Sequence, residues 1–130
     1  MFLTEGKLRY SENLPGHDKW WLVADCCPSI IKYYEWLVHR EIHEKINLPK
    51  FGSHITVISG EEPEDNKDQW NKYNGENVQI EIGKLYSIEA KQEGKSKIFC
   101  LEANSPKFLE LRKFFGLKME YPFHLTIGWY

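Results

Sequence analysis

Two six-residue stretches constrain this chain more than anything else in it. HITVIS at 54–59 and HLTIGW at 124–129 each open on a histidine, place a threonine two positions later, and interleave apolar residues. Their length and their β-branched residues predict strands, in which residues two apart share a face. His54 and Thr56 then point one way and Ile55 and Val57 the other; His124 and Thr126 likewise oppose Leu125 and Ile127, with Trp129 expected on the apolar side. If the last strand stays regular, Tyr130 keeps the parity of His124 and Thr126. The apolar faces need a covering layer, and the polar faces are expected to stay uncovered.

The covering elements are legible nearby. Residues 19 to 27 form an apolar run suited to a first core strand. Pro28 suits a helix start, and Ile30, Ile31, Tyr34, Leu37, Val38, Ile42 and Ile46 recur at helical spacing as far as Asn47. Residues 60 to 75 are acidic and polar, which predicts a solvated loop with at most one helical turn. Val78, Ile80 and Ile82 alternate with polar neighbours, and residues 85 to 90 and 97 to 103 flank a turn at Gly94, which predicts two or three antiparallel strands. Ser105 and Pro106 open a second helix whose buried face is Phe108, Leu109, Leu111 and Phe115, ended by Gly116. Each half therefore ends in a helix followed by a His-x-Thr strand, with direct identity between the halves confined to that motif.

Composition narrows the partners. The chain has 130 residues, 42% hydrophobic, enough for one compact domain. Seventeen basic against nineteen acidic residues give a net charge of −2, which offers no attraction to a long duplex polyanion, although a local basic cluster can still hold a small phosphorylated ligand. Three cysteines, two of them the adjacent Cys26 and Cys27, make no disulfide framework and fit a reducing compartment. No stretch has the length of a secretion signal or reaches the ~20 apolar residues of a membrane span. A soluble cytoplasmic monomer that binds no membrane is the expectation.

Two imidazoles flanked by two hydroxyls suit a phosphodiester. With an ordinary histidine pKa of about 6.5, one ring can take a proton from water or a ribose hydroxyl while the other gives one to the leaving oxygen. The threonines can donate to the nonbridging oxygens. Such a scheme needs no metal and no cofactor. A single His-x-Thr is weak evidence, because an isolated histidine is more often structural; two in equivalent places are not weak. On HITV and HLTI, with the histidines 70 positions apart, the chain resembles the 2H phosphoesterase superfamily. That resemblance implies an α/β (α+β) duplicated, bilobed fold, mainly antiparallel sheets forming a central groove with helices packed outside. It also implies catalytic roles for His54, Thr56, His124 and Thr126 on a small nucleotide or oligonucleotide: a cyclic phosphate, a cyclic oligonucleotide signal or a short RNA end. The alternative is a binding module on the same fold that holds a nucleotide or protein without turnover.

Aromatic residues beside the motifs, Phe51, Phe123, Trp129 and Tyr130, are candidates to stack on a base, with core packing as the competing role. Lys50 and Arg40 could add positive charge near the first motif. His39 and His43 lie four apart on the long helix, but no third metal ligand is evident and the order His-Arg-Glu-Ile-His lacks the glutamate that follows the first histidine in zinc proteases. Cys26, Cys27 and Cys100 read as small buried strand residues. His17 carries no reading.

Overall fold

Alternation of burial shows how the barrel closes. The computed structural model describes residues 2–11, 20–43, 46–48, 52–89 and 97–130; His17, Lys50, Phe51 and the turn at Gly94 lie outside these. The first strand, β1 (Phe2–Tyr10), was not foreseen. Only Gly6, Leu8 and Tyr10 of its nine residues are buried, and each alternates with a more exposed neighbour. Gly6 marks a close approach: a Cβ there would stand 2.6 Å from Ile80 Cδ1 and 3.1 Å from the Asp25 carbonyl oxygen. Next come β2 (Trp21–Asp25), helix α1 (Pro28–Ile42), β3 (His54–Ser59), β4 (Asn77–Glu89), β5 (Lys97–Asn104), helix α2 (Pro106–Phe114) and β6 (His124–Trp129). Residues 77–89 form one long strand with a register shift between Ile82 and Leu85, where two shorter strands were also open.

All strand pairs are antiparallel, and the order β1-β2-β3-β6-β5-β4 closes into a barrel through β1 and β4. Exchanging 1 with 4, 2 with 5 and 3 with 6 reproduces this order, so each half is strand, strand, helix, strand. Identity between the halves also extends beyond the motif: Gly6-Lys7-Leu8 recurs as Gly83-Lys84-Leu85 in the corresponding strand. The inner face carries one core, including Leu8, Leu22, Ala24, Ile55, Ile58, Ile80, Ile82, Leu101 and Leu125. Helix α1 adds Ile30, Ile31 and Val38, and α2 adds Phe108 and Leu111. Each helix contacts the motif strand of the other half, α1 against β6 and α2 against β3.

Two local expectations need correction, and a third is borne out. Helix α1 stops at Ile42 and not at Asn47, because His43 turns left-handed (φ 58°). The turn lets Ile46 enter the core at 3% exposure and lets Asn47 exchange backbone hydrogen bonds of 2.7 and 3.0 Å with Trp129. Leu109 is 40% exposed, and the buried face of α2 contains Arg112 in addition to Phe108 and Leu111. The polar loop at 60–75 does contain one short 3-10 turn (Lys67–Gln69). It is also anchored: Trp70 sits edge-on to Tyr10 and Trp20 at 4.9 and 5.1 Å and against Phe115 at 5.1 Å. No helix among the described residues is long and apolar enough to cross a membrane.

Candidate functional site

The two motif strands meet at one seam. Ile55 and Leu125, the middle residues of the two motifs, are direct partners. Continuing the antiparallel count, His54 stands opposite Thr126 and Thr56 opposite His124. Cross-strand neighbours lie about 5 Å apart at Cβ and diagonal ones about 7–8 Å, so the two imidazole stems flank a space the size of one phosphate. Both strands carry the same burial pattern, with histidine and threonine partly exposed and the residues between them buried. With the core inside the barrel, the four polar groups stand on its outer face.

The ladders extend this arrangement into two rows. One runs Lys7, Asp25, His54, then across the seam to Thr126, Cys100 and Tyr86. The other, read from the opposite edge, runs from Glu102 to His124, then across to Thr56, Val23 and Arg9. Lys84 lies at the outer end of that row, its backbone N–H 3.4 Å from Glu102 Oε2. Each histidine thus has a carboxylate neighbour and a lysine beyond it. Each threonine has a small buried neighbour: Val23 and Cys100 are each 1% exposed yet do not belong to the core cluster, so they floor the outer face.

The ring orientation is set twice in the same way. His54 donates from Nδ1 to the Gly52 carbonyl at 3.2 Å, and His124 from Nδ1 to the Pro122 carbonyl at 2.9 Å. A carbonyl only accepts, so Nδ1 carries the hydrogen and the neutral ring presents its Nε2 lone pair. The carboxylates are drawn toward the outer strands. Arg9 holds Asp25 with two contacts, Nε to Oδ2 at 2.9 Å and Nη2 to Oδ1 at 3.0 Å, while Glu102 fits beside Gly83, where a Cβ would meet its Oε2 at 2.7 Å. An anion at the seam is therefore less opposed by either carboxylate than their register alone suggests. Burial pushes the Cys100 thiol above its ordinary value, and this neutral thiol sits in contact with the Thr126 hydroxyl and the Tyr86 phenol.

Both ladders slip by one residue immediately after the threonine. Val57 is the extra residue against β2 and Ile127 the extra residue against β5. The slip reverses parity at the end of β6. Trp129, expected on the apolar side, pairs with Ile98 in line with Cys100 and Glu102 and so joins the face of His124 and Thr126. Tyr130, expected on that face, instead stacks on Phe99 of the core at 5.9 Å. Phe123 is also corrected: it is 8% exposed and packs against Phe108 and Tyr121, so it offers no ring to a ligand. Arg40 lies over the Trp36 ring at 5.3 Å on exposed α1. Among the described residues no three His, Cys, Asp or Glu side chains gather where a metal ion could be held.

Sequence reasoning missed Lys7, Arg9, Asp25, Tyr86 and Glu102 on this face. The repeated Gly-Lys-Leu was the available signal, since it places Lys7 and Lys84, and with them Arg9 and Tyr86, at equivalent positions. It also missed Arg112, whose Nη1 donates to the carbonyl of the bulged Val57 at 2.9 Å. Surface hollows among the described residues lie elsewhere. One of about 430 Å³ lies along the β1 and β4 edge at Leu3 and Gln79, and one of about 660 Å³ lies beside Asn66 and Lys113. Neither of these is lined by a histidine.

The cysteines differ more than their shared reading implied. Cys26 is buried, and burial pushes its thiol up to about 12. Cys27 is exposed, and a 2.9 Å contact with the Ser29 hydroxyl holds its thiol below the ordinary value. Because the thiolate is the nucleophile, a neutral-pH alkylating agent is expected to label Cys27 first. Peptide mapping by mass spectrometry checks this; equal early labelling of Cys26 or Cys100 would contradict it.

The two histidines and two threonines thus form a pseudo-twofold set on one antiparallel seam. The chain belongs to the 2H phosphoesterase family: the family model described as Swiss Army Knife, 2H phosphoesterase domain, matches residues 27–130. That is a family of phosphodiesterase-type hydrolases. No curated protein and no solved structure matches the chain. The matched range begins after β2, so the internal symmetry reaches further toward the N-terminus than the match does.

Proposed function

We propose that the chain is a metal-independent phosphodiesterase acting, as a monomer, on a small nucleotide-type phosphodiester: a cyclic phosphate, a cyclic di- or oligonucleotide signal or a short RNA end. The observation that carries this reading is the Ile55 to Leu125 pairing, which brings both His-x-Thr motifs to one seam with opposite polarity. One neutral imidazole takes a proton at Nε2 from water or a ribose 2′-hydroxyl as its oxygen attacks phosphorus. The other imidazole, protonated, gives its Nε2 proton to the oxygen leaving as the P–O bond breaks. Thr56 and Thr126 donate to the nonbridging oxygens, where charge grows in the transition state. Trp129, at the edge of the same face, contacts the substrate. A net charge of −2 favours small ligands over long nucleic acid.

The test is purified chain with EDTA against 2′,3′-cyclic nucleotides, cyclic dinucleotides and 2′-5′ oligoadenylate. EDTA-resistant turnover of at least one is expected. Binding of these compounds with no turnover of any would favour the binding module instead.

A further inference from the structure

The pseudo-twofold supplies an internal comparison, because equivalent positions that differ reveal what the two sides of the seam are for. Around the histidines the halves agree: Lys7 matches Lys84, Asp25 matches Glu102, His54 matches His124 and Thr56 matches Thr126. Farther out they part. Arg9 is matched by Tyr86, Ser11 by Ile88, Trp21 by Ile98 and Ser59 by Trp129. On the second half these residues are contiguous on one face: Tyr86 pairs with Cys100, while Ile88 pairs with Ile98 and Ile98 with Trp129. Ile88 is 48% exposed and Tyr86, Ile98 and Trp129 are partly so. The first half offers instead a guanidinium and two hydroxyls beside a single Trp21.

We infer that the outer face of β4, β5 and β6 beside Thr126 is the subsite for a nucleobase, and that the groove accepts an unsymmetrical phosphodiester in one direction. This rests on the phosphodiesterase reading of the seam and names its substrate class. The dimension fits: the Ile88, Ile98 and Trp129 row lies two residues along β4 and β5 from the Tyr86, Cys100 and Thr126 row, about 6.5–7 Å, which is the reach from a phosphate across one sugar. Toward His124 the apolar strip ends at Lys84 and Glu102. The polar remainder of the substrate then lies toward Arg9 and Lys7. Bound in one direction, the substrate makes His54 and His124 non-equivalent despite their matched surroundings.

Calorimetry with adenosine 3′-monophosphate and with inorganic phosphate tests the subsite without requiring turnover. The wild-type chain is expected to bind the nucleotide roughly tenfold or more tightly than phosphate. Ile98→Ser and Ile88→Ser should each erode that preference and leave phosphate affinity unchanged, whereas Trp21→Ile should alter neither. Equal wild-type affinities, a matching loss in Trp21→Ile, or a parallel loss of both ligands in the two serine variants would overturn the subsite. A preserved nucleotide preference with no phosphodiester turned over would leave the subsite standing and remove the catalytic reading.

Discussion

Replacing either His54 or His124 by alanine should lower kcat on the best phosphodiester of the panel by roughly 10²–10⁴-fold, with little change in KM. Both rings are partly exposed at the start of a strand, so their loss opens no core cavity, and far-ultraviolet circular dichroism should be unaltered. The two act in one transition state, so the double variant should be little worse than the poorer single one. Removing one hydroxyl, in Thr56→Val or Thr126→Val, takes away one donor to the growing charge and should cost on the order of 10²-fold. The wild-type pH profile should be bell-shaped, and each histidine variant should keep only one limb. Full activity in either alanine variant ends the two-histidine mechanism; a change confined to KM would mean that the rings bind phosphate without moving protons.

Much of this site was readable because it depends on short-range geometry. The shared face of His54 and Thr56 follows from strand parity alone, and Pro28 and Pro106 mark both helix starts as expected. What escaped depends on partners far away in sequence. Strand β1 looks nondescript because half of its residues face outward, and its role in closing the barrel comes from β4, as in Thr4 against Ile80. The bulges at Val57 and Ile127 follow from the register with β2 and β5, and nothing in HITV or HLTI announces them. The parity argument therefore held up to the threonine and failed one residue later, which exchanged the places of Trp129 and Tyr130. Helix α1 ended early for a similar reason: periodicity carried on through Ile46, but a backbone pairing 82 residues away drew Asn47 to β6.

Arg112 lies four residues after Phe108 and three before Phe115, so helical spacing puts it on the buried face and only its charge argues for the surface; it carries the largest expected effect on stability. It is 0% exposed. Its Nε donates to the Lys118 carbonyl at 2.8 Å, its Nη1 to the Val57 carbonyl and to Glu61 Oε1, both at 2.9 Å, and its Nη2 to Glu61 Oε2 at 2.7 Å. The Tyr121 ring lies 4.3 Å from the guanidinium carbon. Glu61, by contrast, keeps 25% of its side chain exposed. The two partners should therefore respond unequally to deletion. Glu61→Leu strands a fully buried guanidinium and should cost about 3–5 kcal/mol. Arg112→Met lets Glu61 rehydrate and leaves chiefly the Lys118 and Val57 carbonyls short of a donor, and since water or a relaxed neighbour can satisfy a carbonyl the total should be smaller, about 1–3 kcal/mol. The double variant should resemble Arg112→Met, so a double-mutant cycle should return a large coupling.

The same pair fixes an acid limit. The Arg112 hydrogen bond is the main cause holding the Glu61 carboxyl below the ordinary glutamate value. A depressed carboxyl contributes stability that is fully present above the unfolded value of about 4.3 and is lost as pH falls through the lower folded value. Wild-type stability should therefore decline below about pH 4.3 by an increment that Glu61→Leu lacks. Because Arg112 grips the bulge that follows Thr56, folded Arg112→Met should also lose kcat while retaining KM, which a stability defect alone would not produce. Urea denaturation at pH 7 and pH 4, with kinetics below the unfolding transition, decides the matter. Equal destabilisation by Glu61→Leu and Arg112→Met would mean that the exposed carboxylate is as hard to release as the buried guanidinium. Unchanged kcat in Arg112→Met would show that the bulge holds its shape without the arginine.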